Sequence, residues 1–183
     1  MNQRSDVPTS AMSPVDIGFG AADDLSQIVE IVNYTAANSI ATFATRPTSV
    51  AERREWFDQF ATTGPYKLLV ARQDNQVLGY ACSQRYRDHE AFQQTVEASI
   101  ALHAQSRGRG IGTSLYRALF DSLAGEPVHV TLAGIAMPND ASVALHRKFG
   151  FTEVGVFSEY AVKHGQYISS QWMQRLASPQ HQS

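Results

Sequence analysis

The sequence predicts an α/β (α+β) fold with a single mixed, mostly antiparallel sheet. Segments with the two-residue period of strands alternate with segments of helical period, in the order β-α-α-β-β-β-α-β-α-β-β, which lacks the regular alternation of a doubly wound sheet. The 183 residues are 43% apolar, which is enough for the core of one domain. Because no Gly-, Ser- or Pro-rich linker divides the chain, we predict one domain over residues 15–176, with flexible segments at 1–14 and 177–183.

The first half of the chain is predicted to form four strands and two helices. Leu25, Ile28 and Val29 recur at the spacing of one helical face, behind two aspartates that suit a helix N-terminus. Ser49, with Glu52 three residues later, is a capping-box pattern that begins the second helix. The predicted strands are 15–19, 67–72, 77–83 and 95–103, and the predicted helices are 22–37 and 49 to about 64.

The second half adds two helices and three strands. Ile111, Leu115 and Leu119 lie on one face of a helix that follows a glycine-rich segment. Gly150 is the expected C-cap of the next helix, 139–149. The remaining predicted strands are 128–133 and a pair within 151–176 that turns at Lys163-His164-Gly165.

Charge and cysteine content argue against several classes of protein. Lysine and arginine number 15 against 17 acids, so the net charge of −2 argues against a general partner of nucleic acid or anionic membranes. The lone Cys82 excludes an intramolecular disulfide and disfavours a cysteine-based zinc site, and we predict no metal. The apolar runs are too short to span a bilayer, and the first sixteen residues lack the apolar stretch of a signal peptide. We therefore expect a cytoplasmic protein.

The strongest single feature is the segment Arg107-Gly-Arg-Gly-Ile-Gly112, which lies between a strand and a helix. Backbone N–H groups at a helix N-terminus bind anions, and glycines without Cβ atoms let that backbone approach a ligand closely. Residues 104–120 hold three arginines and no acid, so pyrophosphate is a suitable ligand. Thr113 stands where a Walker loop requires lysine and where a dinucleotide fingerprint requires its third glycine. The alternative is a plain strand-to-helix connection.

A second segment, Asn139-Asp-Ala-Ser142 followed by Leu145-His146 and Gly150-Phe151, completes a family pattern. Together with the R/Q-x-x-G-x-G/A loop at 107–112, it resembles the two characteristic segments of the GCN5-related N-acetyltransferases (GNAT). The resemblance extends to one branch, the phosphinothricin and amino-acid N-acetyltransferases, through the motifs Thr95-Val-Glu97 with Ser99, Phe43-Ala-Thr-Arg-Pro47 and Lys163-His-Gly165. It covers residues 15–176.

The resemblance implies a GNAT fold with helices on both faces of the sheet, acetyl-CoA as acyl donor, and a homodimer. In the family the loop backbone cradles the pyrophosphate of acetyl-CoA, and the preceding strand splays away from its neighbour to hold the pantetheine arm. Carried over by position, the implied cofactor-binding residues are Ile100, Ala101, Leu102, Arg107, Gly108, Arg109, Gly110, Ile111, Gly112, Thr113, Asn139 and Ser142.

Glu97 stands at the position that resembles the branch's general base. An amine attacks a thioester only when neutral, and an amine with a pKa of about 10.4 is neutral in roughly one molecule per thousand or fewer at pH 7. A base that removes the proton, directly or through water, is therefore useful. Strand alternation places Glu97, Ser99, Ala101 and His103 on one face. The alternative is a solvated or salt-bridged strand residue.

His146 and Cys82 are the other candidates for chemistry. The resemblance places His146 where it would protonate the departing thiolate of CoA, and the alternative is a half-buried helix histidine satisfied by a carbonyl. Cys82 could form an acyl-enzyme, but direct transfer needs no covalent intermediate, so we predict a small buried hydrophobe.

The acceptor site departs from the branch pattern. The branch holds its substrate's carboxylate or phosphinate with two arginines two residues apart. Here Arg87 matches the first, whereas His89 stands at the second, where imidazole cannot copy a guanidinium fork. The predicted substrate-binding residues are Phe43, Arg85, Arg87 and His89, and further departures from the branch are Phe92, Tyr167 and Ser169. The alternative for the arginines is an ordinary solvated loop.

The leading hypothesis is an acetyl-CoA-dependent N-acetyltransferase that acts on the primary amine of a small amino-acid-like acceptor, such as phosphinothricin or methionine sulfone. Polyamines, aminoglycosides and protein N-termini are alternative acceptors. Arg85 and Arg87 beside Asp88 and Glu90 favour an anionic substrate over a polycation. A catalytically silent acetyl-CoA-binding sensor is an alternative from a different class.

Overall fold

The computed structural model describes residues 13–177, so most of the two segments predicted to be flexible, 1–12 and 178–183, lies outside the described residues. The predicted order of helices and strands is confirmed. The strands are β1 (Asp16–Phe19), β2 (Lys67–Gln73), β3 (Gln76–Arg85), β4 (Thr95–Leu102), β5 (Val130–Ala136), β6 (Thr152–Lys163) and β7 (Gln166–Leu176). The helices are α1 (Leu25–Asn38), α2 (Val50–Asp58), α3 (Ile111–Ser122) and α4 (Asp140–Lys148). Within residues 13–177, no helix has the length and apolarity needed to cross a membrane.

The predicted bounds of α2 and β5 are wrong. α2 ends at Asp58 and not near Gly64, since the Ala61 N–H donates to the Tyr66 carbonyl and the Gly64 N–H to the Glu126 carboxylate. β5 spans Val130–Ala136 and not 128–133: the Val128 N–H turns back to the Glu126 carbonyl, and the pairing with β7 continues to Ala136 opposite Ser170.

The seven strands form one sheet in the order β1-β2-β3-β4-β5-β7-β6. Every neighbouring pair is antiparallel except β4 and β5, which are parallel. The predicted mixed, mostly antiparallel sheet is therefore confirmed.

Helices cover both faces of the sheet, as the resemblance implies. The face beneath α3 and α4 packs its apolar core through Leu69, Ala81, Ala98 and Met173. The face beneath α1 and α2 packs through Leu68, Val70, Tyr80 and Cys82. Alternate residues of β2 supply the two cores, Leu69 and Ala71 the first and Leu68 and Val70 the second, as the pleat of a strand requires.

The pairing of β4 with β5 stops halfway along both strands. Their ladder joins Thr95 to Val130 and ends where Glu97 meets Leu132. Both strands continue, β4 paired only with β3 and β5 only with β7. The strands therefore diverge beyond Glu97, and the open edge of β4 lines a cleft.

Candidate active site

A cavity of about 670 Å³ lies beside the open edge of β4, where that strand has left β5. Its middle is lined by the unpaired half of β4, through Ser99, Ile100, Ala101 and Leu102. One end lies beside the glycine-rich loop and α4, lined by Arg107, Gly108, Asn139, Ser142 and Leu145. The other end lies beneath α1 and α2, lined by Thr35, Ile40, Thr42, Arg53, Trp56 and Gln84. Peptide groups on the open edge of β4 are available to bind an extended ligand.

The glycine-rich loop exposes uncapped helix donors beside the cavity. Gly108 and Gly110 have φ of 74° and 78°, a conformation that glycine adopts without steric penalty. Ser49 caps the N-terminus of α2 and Asn139 that of α4, whereas α3 has no side-chain cap. The first N–H groups of α3 are therefore available to an anion.

The two arginines of the loop point to different surroundings. Arg107 lines the cavity, whereas the Arg109 Nη2 donates to the Gln73 Oε1 at 2.8 Å. Of the predicted cofactor-binding residues, the cavity is lined by Ile100, Ala101, Leu102, Arg107, Gly108, Asn139 and Ser142. Gly110, Ile111, Gly112 and Thr113 lie behind it, at the N-cap and first turn of α3.

Glu97 lies at the point where β4 leaves β5. Glu97 itself is not among the residues that line the cavity, whereas its cross-strand neighbour Gln84 and its same-face neighbour Ser99 are. Glu97 is half-buried, and burial raises the pKa of its carboxyl above the usual value. It forms no ion pair with another residue in the range 13–177. A partly dehydrated, uncompensated carboxylate has the properties of a general base.

His146 is buried, with 3% of its surface exposed, and both ring nitrogens have partners. Nδ1 lies 2.7 Å from the Ser142 carbonyl oxygen, and Nε2 lies 2.8 Å from the Tyr116 hydroxyl. Since a carbonyl only accepts, the neutral ring with its proton on Nδ1 satisfies both bonds. Burial lowers the pKa of the imidazole, an effect that the Ser142 carbonyl partly opposes. Ser142 separates this ring from the cavity.

We expect the burial of His146 to make the fold sensitive to acid. Because the folded-state pKa lies below the ordinary value of 6.5, the unfolded chain takes up the proton first as pH falls. The free energy of unfolding should therefore decline below about pH 6.5 until the folded-state pKa is passed. Denaturant titrations at several pH values measure this slope, and NMR titration of the ring measures the pKa directly.

Two variants separate His146 from the other titrating groups. His146→Gln should flatten the slope near pH 6, whereas His103→Gln, at an exposed histidine, should leave it unchanged. An NMR pKa for His146 at or above the ordinary value would contradict this account of the ring.

The predicted acceptor residues lie outside the cavity lining. Arg85 donates to the Asp88 carboxylate at 2.7 Å, and Arg87 stacks 5.1 Å from the Tyr86 ring centroid. His89 accepts from the Ala91 N–H at 3.1 Å and so caps a short 3-10 turn. Phe43 is exposed and contacts the Tyr160 ring at 5.7 Å. The structure does not bring these side chains together around the cavity, and their binding role stays a prediction.

Sequence reasoning missed the residues of α2 that line the cavity. The Arg53 guanidinium lies 3.7 Å from the Trp56 ring centroid, and the Trp56 Nε1 donates to the Gln84 Oε1 at 3.1 Å. Arg53 and Trp56 are three residues apart and therefore share a helical face. The three-residue spacing of Arg53 and Trp56 could have indicated a shared surface. The aromatic residues of α2 are, however, equally typical of a helix face that packs in a core.

The segment Lys163-His164-Gly165 anchors the loop that lines the cavity beneath α1. The Lys163 Nζ donates to the carbonyls of Ser39 and Thr42, at 2.6 and 2.7 Å, and the residue is only 1% exposed. The His164 Nε2 lies 3.3 Å from the Ala36 carbonyl. This segment therefore holds the loop 39–44 as well as turning the final hairpin.

The fold and site together define an enzyme class: a sheet split between two parallel strands, an anion-binding loop at one end of the split, and a shielded carboxylate beside it. The sequence matches the Acetyltransferase (GNAT) family over residues 34–151, and the chain belongs to that family. It is an acetyl-CoA-dependent N-acetyltransferase.

Named relatives refine the comparison. The chain is 39% identical over 163 residues to a phosphinothricin N-acetyltransferase of Streptomyces coelicolor, covering 88% of this chain and 95% of the relative. It is 36% identical over 157 residues to an L-methionine sulfoximine/L-methionine sulfone acetyltransferase of Pseudomonas aeruginosa, covering 85% and 91%. A crystal structure of a phosphinothricin acetyltransferase from Sinorhizobium meliloti in complex with acetyl-CoA superposes with a TM-score of 0.82 at 31% identity, covering 92% and 94%.

Proposed function

We propose that this protein transfers the acetyl group of acetyl-CoA to the primary amine of a small amino-acid-like acceptor of the phosphinothricin or methionine sulfone kind. The observation that carries the proposal is one continuous cavity that runs from the glycine-rich loop, along the open edge of β4, to the space beneath α2. The names of the relatives support the acceptor class.

The donor end of the cavity fits acetyl-CoA. The uncapped N-terminus of α3 and the Arg107 side chain suit a pyrophosphate, and the open edge of β4 offers peptide groups to an amide-containing arm. When bound, acetyl-CoA supplies the thioester carbonyl carbon that the amine attacks. The residues that would hold it are Ile100, Ala101, Leu102, Arg107, Gly108 and Asn139, with the first turn of α3 behind them.

Arg107 and Arg109 allow a matched test of this end. Arg107→Ala should raise the KM for acetyl-CoA by about tenfold, because it removes one charge-assisted contact to a phosphate. Arg109→Ala should have a smaller effect, since that guanidinium is held by Gln73. Steady-state kinetics with varied acetyl-CoA measure both, and equal effects would contradict the separate placement of the two side chains.

Glu97 is the group that removes the amine proton. Glu97 first takes one proton from the ammonium, directly or through a water, and leaves a neutral amine. The amine nitrogen then forms the new N–C bond as the C–S bond breaks, the nitrogen releases its second proton, and the CoA thiolate leaves and takes up one proton. We keep His146 as the candidate source of that last proton. The ring is neutral, with its Nδ1 proton bound to the Ser142 carbonyl, so it must take up a proton before it can act as the acid. The Ser142 Oγ lies 3.4 Å from Nδ1 and Ser142 lines the cavity, so this hydroxyl would lie on the path of the proton.

Release of CoA thiol from acetyl-CoA in the presence of an amine panel tests the proposal. Methionine sulfone and phosphinothricin should support turnover, whereas spermidine and kanamycin should not. Turnover with only a polyamine or an aminoglycoside would show that the proposed acceptor class is wrong. Tight binding of acetyl-CoA with no turnover across the panel would favour a sensor.

We also propose a homodimer and a cytoplasmic location. β6 forms one edge of the sheet and exposes Val154, Val156, Phe157, Tyr160 and Val162, an apolar surface that suits a second copy of the chain. Light scattering measures the mass in solution, and the mass of a monomer would contradict the proposed homodimer. The buried thiol of Cys82 is compatible with a reducing compartment.

A further inference from the structure

Arg53 brings a positive charge to the cavity wall without a counter-charge. Arg53 lines the cavity beneath α2, and its Nε is buried with no hydrogen-bond partner among residues 13–177. It forms no ion pair with any carboxylate in the part of the chain that the structure describes. A buried donor without a partner destabilises a fold, so this arrangement points to a group supplied from outside the chain.

Tyr80 and Cys82, two ionisable residues that line the cavity with Arg53, are neutral. Burial raises the pKa of Tyr80 and of Cys82 to about 12 each. The charge of Arg53 partly opposes that effect at both groups, and a hydrogen-bonding contact with Arg53 also does so at Tyr80. Both groups therefore stay protonated near neutral pH and leave the charge of Arg53 uncompensated.

Arg53 lies on the same side of the cavity as the proposed base, because it stacks on Trp56, whose indole bonds Gln84, the cross-strand neighbour of Glu97. The charges of Arg53 and Glu97 act on the same Cys82 thiol, Arg53 lowering its pKa and Glu97 raising it. Cys82 lines the cavity and pairs with Ser99 on β4. The Arg53 cation and the Glu97 carboxylate thus lie on either side of the part of the cavity wall that contains Cys82. An α-amino acid carries its ammonium and its carboxylate one carbon apart, which matches this arrangement of opposite charges.

The guanidinium is held in place before any ligand arrives. Its plane stacks on Trp56, whose indole is in turn fixed by the bond to Gln84. Stacking occupies the face of a guanidinium and leaves the N–H groups at its edge for two-point binding of an anion.

We propose that Arg53 binds the carboxylate of the acceptor and so restricts the enzyme to amines that carry an anion beside the amino group. The inference rests on the proposed function and names a residue for its acceptor end. Arg85 is already paired with Asp88, and Arg87 is exposed outside the lining, so Arg53 is better placed than either. Polyamines and aminoglycosides, which lack the carboxylate, would meet an unmatched cation.

A comparison of methionine sulfone with its α-carboxamide tests the proposal. Arg53→Gln should raise the KM for the acid by about 10- to 100-fold, because a charge-assisted contact is lost. It should change the KM for the carboxamide little and the KM for acetyl-CoA not at all. The matched control is Arg54→Gln, at the exposed neighbouring arginine, which should behave as the wild type. Arg53→Gln that weakens acid and carboxamide equally, or neither, would overturn the inference.

Two further measurements keep the test decisive. If Arg53→Gln does not fold, the wild type alone must prefer the acid to the carboxamide by at least tenfold in kcat/KM, and equal use of both would overturn the inference. If the wild type turns over no amino acid, the proposed function fails by itself. Calorimetric titration of methionine sulfone into the wild type and into Arg53→Lys, each with CoA bound, then tests whether Arg53 binds the carboxylate. Binding by the wild type that weakens in the variant supports the inference. No binding by the wild type, or equal binding by both proteins, overturns it.

Discussion

Glu97→Gln is expected to lower kcat/KM near neutral pH by about 10²- to 10⁴-fold, the usual contribution of a positioned general base. Gln is nearly isosteric with Glu but cannot accept the ammonium proton. The remaining rate should follow the small fraction of acceptor amine that is already neutral, so the loss should shrink as pH rises toward the amine pKa. Kinetics with methionine sulfone across the pH range measure this profile.

The fall in the wild-type kcat/KM toward low pH depends on the same carboxyl group, that of Glu97. Because burial raises the pKa of Glu97 above 4.5, kcat/KM should begin to fall at a higher pH than an exposed glutamate would give. A raised folded-state pKa also means that Glu97 stabilises the fold at low pH and that this contribution is lost as pH rises through the folded-state pKa. Glu97→Gln should therefore unfold at an equal or higher Tm at neutral pH.

The matched control is Glu90→Gln, at an exposed glutamate of the preceding loop, which should leave both the rate and Tm unchanged. A pH–rate profile for Glu97→Gln that runs parallel to the wild type would remove Glu97 from the role of base. A large fall in Tm would point instead to a structural role.

Lys163→Met is expected to lower the free energy of unfolding by about 2–4 kcal/mol, because it removes two charge-assisted hydrogen bonds. Those bonds tie Ser39 and Thr42 to the final hairpin, and the loop they hold lines the cavity beneath α1. The KM for the acceptor should rise by about tenfold. The KM for acetyl-CoA, which would bind toward the other end of the cavity, should not change. Denaturant titration and steady-state kinetics with each substrate varied measure the two effects.

Lys148→Met provides the control, since Lys148 is an exposed lysine at the end of α4. It should change neither stability nor KM. If Lys163→Met weakened acetyl-CoA and acceptor equally, the loop would not be specific to the acceptor end, and unchanged stability would contradict the anchoring role of Lys163.

The sequence carried the information for the local elements and for the donor end of the site. Ser49 with Glu52, and the caps Asn139 and Gly150, act within a few residues, so their patterns predict the helix ends that the structure shows. The glycine-rich loop is equally local, because a strand, a turn and a helix N-terminus follow one another along the chain.

The acceptor end depends on contacts between distant parts of the chain. Arg53 and Gln84 meet at one cavity although they lie on α2 and β3, and no short motif links them. Lys163 reaches across more than a hundred residues to Ser39 and Thr42. The partners of His146, in particular Tyr116 on α3, likewise follow from the packing of α4 on α3. Such contacts arise from tertiary structure, and a single sequence does not reveal them.

The most direct test of the central claim follows both products of one reaction, the CoA thiol and the acetylated amine, with purified protein, acetyl-CoA and methionine sulfone or phosphinothricin. We expect equal amounts of free thiol and N-acetyl product by mass spectrometry, and almost none of either with Glu97→Gln near neutral pH. Thiol release without an acetylated amine, or equal product from the wild type and Glu97→Gln, would contradict that claim.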